Sequence, residues 1–368
     1  MTVRVLVVDD SRFFRNRVSD IIAADPLLEV VGTAGNGQEA IAMVNKLAPD
    51  VITMDVEMPI MDGISAVREI MSKKPTPILM FSSTTTDGAK ATLDALEAGA
   101  VDFLTKNFEN ITNNAEDVAS MLRNRIYQIS KKNLVRERVR TQPILSNSTK
   151  SLKTDSTSIL QNRKSDSSDE YNVKSWLSTK GYGLVVIGAS TGGPVAVQNI
   201  LSKLPSNFPI PIVVVQHMPG TFTGIYAERL DKATSIKVKL ASDNDALAQG
   251  VVLIAPGGKQ LTLARQKTGD VVKVQDPAMS DTYKPCIDVF FSSVAKIYSG
   301  KTLAIVLTGM GSDGCKGSQL IKANGGTIWA QNEATSVVYG MPGAVAEAGI
   351  CDSIIPLREI EERLVLGV

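Results

Sequence analysis

The chain is poor in the residues that most often carry metal or redox chemistry. It has one histidine, His217, and three cysteines, Cys286, Cys315 and Cys351, far apart and odd in number. That composition excludes a disulfide framework and a His/Cys metal site, both of which need paired or closely spaced ligands. Neither sign of charge is in excess, with 39 Lys and Arg against 38 Asp and Glu. Nothing therefore calls for nucleic acid or a membrane surface as partner. No apolar run reaches the roughly eighteen residues that a membrane span needs. The first apolar run is broken early by Arg4, Asp9, Asp10 and Arg12, unlike a secretory signal. A cytoplasmic protein is expected, long enough at 368 residues for two domains with full cores.

What is present concentrates at strand ends. Leu184-Val185-Val186-Ile187 reads as a buried parallel strand. It stops at Gly188-Ala189-Ser190-Thr191-Gly192-Gly193, after which Val195, Val197, Ile200 and Leu201 repeat with helical spacing. Ser190 thus lies on a sharp strand-to-helix turn, beside a helix N-terminus whose N–H groups favour negative charge. A serine there is either an activated nucleophile or part of an anion-binding loop. Known phosphate loops fit poorly, because Ser190 replaces the middle glycine of G-x-G-x-x-G and no Gly-Lys-Ser/Thr follows.

Two more strand ends favour the nucleophile. Ile212 to Gln216 is an apolar run ending at His217, and Thr302 to Leu307 ends in a glycine-rich loop carrying Asp313. A lone histidine is more often structural, and an aspartate before a helix is often a cap. Ser190, His217 and Asp313 together are nevertheless the parts of a nucleophile, base and orienter. Further strands are expected near 236–240, 251–255, 327–330 and 352–355, with a hairpin over 260–274 around Thr268-Gly269-Asp270.

The first third repeats the theme. Strands at 3–8, 29–34, 50–54, 77–81 and 101–105 alternate with helical patterns, which predicts a doubly wound parallel sheet. Asp9, Asp10 and Asp55 would meet at one edge and repel each other unless they share a cation. An all-oxygen ligand set suits Mg²⁺. Lys106 adds a positive charge and Ser82 a hydroxyl, which equips the site to accept a phosphoryl group. From Arg123 to Arg140 seven basic residues face one acid, Glu137, and from 141 to 170 twelve of thirty residues are Ser or Thr. The latter composition reads as a flexible tether.

GASTGGP, QHMP and GMGSDG, in this order and spacing, resemble the catalytic domain of the CheB family of chemotaxis receptor methylesterases. The likeness runs from about Tyr182 to the C-terminus. VVDDS, MDVEMPIMDG, FSS and the strand-end lysine are similar to response-regulator receiver domains. The resemblance implies an α/β protein of two doubly wound parallel-sheet domains. A flavodoxin-like receiver would span 1–127, and a basic helix extension and linker 128–179. A Rossmann-like methylesterase domain with a small antiparallel hairpin would span 180–368.

It further implies Asp55 as phosphoacceptor, with Mg²⁺ held by Asp10, Asp55 and the carbonyl of Glu57, and Asp9 acting largely through water. Ser82 would contact the phosphoryl group and Lys106 would pair with it. The phosphodonor would be a chemotaxis histidine kinase. Receivers usually carry proline after this lysine, and here Asn107 stands instead. In the second domain, Ser190, His217 and Asp313 would hydrolyse glutamate methyl esters on receptors, with no cofactor, releasing methanol. Backbone N–H groups near Thr191 and Met310 would hold the oxyanion. Met310 and Met341 have two readings, lining the cleft or, more often for methionine at such places, packing in the core. Family members also deamidate receptor glutamines. A monomer is expected. The readings set against this are a non-catalytic response regulator whose second domain binds a ligand, and an esterase for small molecules.

Overall fold

The computed structural model describes residues 2–106, 115–140 and 181–366. Asn107 and the Ser/Thr-rich stretch 141–170 lie outside them.

The first unit is a five-stranded parallel sheet. Its strands are β1 (Val3–Val8), β2 (Leu28–Ala34), β3 (Val51–Asp55), β4 (Ile78–Ser82) and β5 (Asp102–Thr105), in the order β2-β1-β3-β4-β5. Helices α1 (Arg12–Ala23), α2 (Gly37–Leu47), α3 (Gly63–Lys73), α4 (Thr86–Glu97) and α5 (Ala115–Arg140) connect and cover it. The central strands β3 and β4 are buried throughout, as expected when helices occupy both faces. Each of the first four helices starts at a residue built for capping. Ser11, Asn36, Asp62 and Thr85 all accept a backbone N–H three residues on, a contact typically worth about 1 kcal/mol.

The second unit is a seven-stranded parallel sheet in the order β14-β13-β12-β6-β7-β9-β8. Its strands are β6 (Leu184–Ala189), β7 (Ile212–Gln216), β8 (Lys237–Leu240), β9 (Val251–Ile254), β12 (Thr302–Val306), β13 (Thr327–Gln331) and β14 (Ser353–Ile355). The hairpin is present as β10 (Gln260–Gln266) paired antiparallel with β11 (Gly269–Gln275). The helices are α6 (Gly193–Ser202), α7 (Gly220–Ala233), α8 (Ile287–Tyr298), α9 (Cys315–Ala323), α10 (Met341–Glu347) and α11 (Leu357–Leu366). Two doubly wound sheets thus stand where the strand-end pattern predicts them. Among the described residues, no helix is long and apolar enough to cross a membrane.

β6 is the pivot of this sheet. The chain leaves it for β7 on one side and later returns to β12 on the other. Such a reversal opens a crevice beyond the carboxyl ends of the strands, and β6, β7 and β12 carry Ser190, His217 and Asp313 just past those ends.

The two units pack against each other over this crevice. Phe103 of β5 stacks on Phe222 of α7, with ring centroids 4.5 Å apart. Val338 belongs to one buried cluster with receiver side chains of β1, α1 and α5, and Met310 and Val337 pack against that cluster. Arg229 of α7 reaches α4, pairing with Asp94 at 2.6 Å and with Glu97, which also accepts from Gln198 Nε2 at 3.1 Å.

Candidate functional site

The strand-to-helix turn after β6 holds Ser190 by its backbone. Its N–H donates to Thr308 O at 3.1 Å, and its carbonyl accepts from Gln216 Nε2 at 2.9 Å. Gly192 takes a left-handed φ of 77°, and a Cβ there would meet Val337 at 2.5 Å. The turn therefore needs glycine on both conformational and steric grounds.

His217 lies between the other two residues. Its Nδ1 is 3.2 Å from Ser190 Oγ, and its Nε2 is 2.8 Å from Asp313 Oδ2. Ser190 is only 6% exposed and Asp313 5%. The three residues that the sequence nominated, 27 and 96 positions apart in successive steps, meet as a hydrogen-bonded chain.

Asp313 is satisfied on every side. Oδ2 also accepts from Ile287 N at 2.8 Å. Oδ1 accepts from Asp288 N at 2.9 Å, Gly314 N at 3.0 Å and Cys286 Sγ at 3.3 Å. Burial works to raise its pKa. The hydrogen bond and charge of His217 and the N–H groups of Asp288 and Ile287 outweigh that, so the carboxyl lies below its ordinary value. Burial, followed by the Asp313 charge, pushes the Cys286 thiol up to about 12, so it stays a protonated donor. Helix α8 has no cap side chain of its own. Asp313, from a different strand end, supplies that cap and gains the helix dipole in return.

Thr191 and Met310, expected near the oxyanion, flank the same turn. Their backbone N–H groups make no hydrogen bond among the described residues, whereas Gly193 N–H is committed to Ser190 O at 2.8 Å. The Thr191 side chain reaches the other unit, where its Oγ1 donates to Asp102 Oδ2 at 2.8 Å. The same oxygen accepts from Arg125 Nη1 at 2.6 Å. Of its two readings, Met341 takes the core one. It has no exposed surface, because α10 carries it beneath Gly309, where an added Cβ would overlap its Sδ.

At the other sheet, ligand oxygens of Asp9, Asp10 and Asp55 lie within 4.8 Å of one another. Lys106 Nζ is 2.7 Å from Asp9 Oδ2 and 2.6 Å from Asp55 Oδ2. Burial first, and then Asp9, raise the Asp55 pKa to about 6, against the lowering effect of Lys106. Burial also works against the Lys106 charge, but Asp55 and Asp9 outweigh it and hold its pKa above the ordinary value. One ammonium does not fully compensate three carboxylates, and a hard divalent cation fits the oxygen set left over. Glu57 is exposed on the loop after β3, next to this cluster in sequence. Ser82 is turned elsewhere. Its fully buried hydroxyl lies within hydrogen-bond distance of Ser83 O, Gly88 O and Thr92 Oγ1, tying the end of β4 to α4.

Several residues that shape the serine site escape sequence reasoning. Gln216 adjoins His217 at a strand end and was within reach of it. Thr308, which donates to Thr191 O at 2.8 Å and accepts from Val337 and Val338 N–H at 3.0 Å each, has no local signal. Nor does Tyr283, whose ring lies flat on the His217 imidazole with centroids 4.3 Å apart and planes 7° from parallel.

Fold and site together define a class: a receiver-type parallel sheet joined to a second parallel-sheet domain in which a serine, a histidine and an aspartate are hydrogen-bonded beyond the carboxyl ends of three adjacent strands. Residues 185–364 match the family model for the CheB methylesterase, and residues 5–115 that for the response regulator receiver domain. The chain is 49% identical to the protein-glutamate methylesterase/protein-glutamine glutaminase 2 of Photobacterium profundum, covering 100% of both chains. It is 50% identical to a protein-glutamate methylesterase/protein-glutamine glutaminase 1 of Vibrio vulnificus, covering 100% of this chain and 99% of that one. This chain belongs to the CheB methylesterase family. Among solved structures, the Thermotoga maritima CheB methylesterase catalytic domain is 43% identical, covering 51% of this chain and 99% of that chain with a TM-score of 0.49.

Proposed function

We propose that this protein hydrolyses glutamate methyl esters on chemotaxis receptors, releasing methanol, and deamidates receptor glutamines by the same acyl chemistry. The observation that carries the reading is His217 hydrogen-bonded to Ser190 on one side and to Asp313 on the other. In the mechanism Ser190 Oγ attacks the ester carbonyl as its proton passes to His217 Nδ1. Asp313 fixes the ring and stabilises the imidazolium. The proton then goes to the departing methoxide, and water hydrolyses the acyl-serine by the same relay in reverse. The N–H groups of Thr191 and Met310 hold the developing oxyanion; losing one such donor commonly costs about 3 kcal/mol.

Asp55 is the phosphoacceptor for a chemotaxis histidine kinase. Asp9, Asp10 and Asp55, with the Glu57 carbonyl, would hold Mg²⁺, which when bound supplies positive charge for the transferring phosphoryl oxygens. Lys106 pairs with the phosphoryl group. The Ser82 hydroxyl leaves its α4 contacts to reach that group, which couples the site to α4. Because α4 and β5 hold Arg229, Thr191 and Phe222, the receiver closes the cleft until phosphorylation shifts the balance towards an open form. We place the domains at 1–127 and 180–368, joined by 128–179, in a cytoplasmic monomer.

The test is methanol release from methylated receptor by wild type and Ser190→Ala, with and without Mg²⁺ and a small-molecule phosphodonor. Release that needs Ser190 and rises with the donor is expected. Release from wild type and Ser190→Ala alike would remove the serine mechanism, and none from either would favour the ligand-binding reading.

A further inference from the structure

Between the β10–β11 hairpin and α8 runs a loop, 276–286, that carries no strand end and no catalytic motif. It is nevertheless tied down with care. Gln260, buried at the start of β10, donates from Nε2 to Tyr283 O at 2.8 Å and to Asp281 Oδ2 at 3.0 Å. Its Oε1 accepts from Cys286 N at 2.8 Å. Gly258 N–H adds a bond to Lys284 O at 3.0 Å. The segment so held, with the helix start that follows it, touches two of the three members of the proton relay. The Tyr283 ring covers the face of His217, and the Ile287 and Asp288 N–H groups grip Asp313. On the far side the GMGSDG loop passes so close that a Cβ on Gly311 would lie 3.0 Å from the Tyr283 hydroxyl.

We propose that Tyr283 is a positioning residue: its ring face holds the His217 imidazole in the plane that reaches Ser190 and Asp313 together, and favours that ring most when it is charged. This rests on the relay proposed above. The torsion that turns an imidazole about its Cβ–Cγ bond has a broad minimum, so end-on hydrogen bonds alone leave the ring free to rock. A parallel aromatic at 4.3 Å removes that freedom and keeps water off the face. An aromatic face carries negative charge density and attracts a cation more than a neutral ring. In the proposed relay the imidazolium forms as Ser190 gives up its proton, so the contact strengthens towards the transition state and acts on kcat rather than KM. The hairpin then has a purpose: through Gln260 it anchors the loop that presents Tyr283.

The single histidine makes the stack directly observable in the intact protein. Labelled with ¹³C at the imidazole, the chain gives one Hε1 signal. In wild type that signal is expected upfield of its position in free histidine, through the Tyr283 ring current. Tyr283→Phe is expected to keep the displacement and Tyr283→Leu to lose it. In donor-stimulated methanol release, Tyr283→Leu is expected to lower kcat about tenfold with KM within about twofold, and Tyr283→Phe to stay within about twofold of wild type in both. An undisplaced wild-type signal overturns the proposal, and does so even where the leucine variant does not fold. So do an unchanged kcat in Tyr283→Leu, a loss confined to KM, or a phenylalanine variant as impaired as leucine. Wild type that releases no methanol is a failure of the esterase reading instead, and the Hε1 signal judges the stack without it.

Discussion

The two parallel sheets in this chain each gather their chemistry at the carboxyl ends of central strands, yet they treat charge in opposite ways. At the receiver edge, Asp9, Asp10 and Asp55 crowd together with one lysine between them. Burial and Asp9 leave Asp55 with a pKa of about 6. At the serine site, one carboxylate has donors on both oxygens and is held below its ordinary pKa. The first site is under-compensated and so ready for an incoming cation and phosphoryl group. The second is complete in itself and so ready to orient a proton relay.

The helices show the same contrast. The receiver's first four are capped by their own Ser, Asn, Asp or Thr. Around the serine site, α6 to α10 start without a side-chain cap of their own. A locally capped helix spends its orphan N–H groups on itself, whereas an uncapped one can offer them to a catalytic group or an oxyanion. The α8 N–H groups bound to Asp313 are an instance.

If Asp313 acts as the orienter, Asp313→Asn should give the largest effect among changes at the charged groups. A neutral amide favours the wrong tautomer of His217, and kcat should fall by about 10⁴-fold with or without phosphodonor. A fall of tenfold or less would mean that the dense bonding around Asp313 serves α8 rather than the relay. The receiver site is sharpened by Asp55→Asn. All increase on adding phosphodonor should vanish, while basal release stays within about twofold, since the two sites share no side chain. Persistent stimulation would point to another acceptor. Chelation of Mg²⁺ should mimic this variant in wild type and leave basal release untouched.

The smallest effect concerns the seam. Arg229→Ala removes the pairs to Asp94 and Glu97, and basal release should rise about fivefold, the equivalent of about 1 kcal/mol for a partly exposed ion pair. Added salt should raise basal release of wild type in the same direction and that of Arg229→Ala much less. An unchanged basal rate would leave the closure to the other contacts of the seam, Phe103–Phe222 and Thr191–Asp102 among them.

The amino-acid sequence alone determined the parallel sheets, their strand ends and the residues placed there. Buried parallel strands read as continuous apolar runs, and the chain must change character where each run stops. Asp55, Ser190, His217 and Asp313 are legible for that reason. The hairpin is legible because its alternation and its turn are local. What the chain order could not determine is whatever depends on approach between distant segments. The stack of Tyr283 on His217 joins residues with nothing periodic between them. The cap of α8 by Asp313 crosses from one strand end to another helix. The reach of Thr191 to Asp102 joins two separate sheets. Ser82 is a further instance. Its place at a strand end suggests an open hydroxyl, but the packing of α4 turns it inward. A strand end sets where a side chain starts; only the neighbours brought by the tertiary fold decide where it points and what charge it meets.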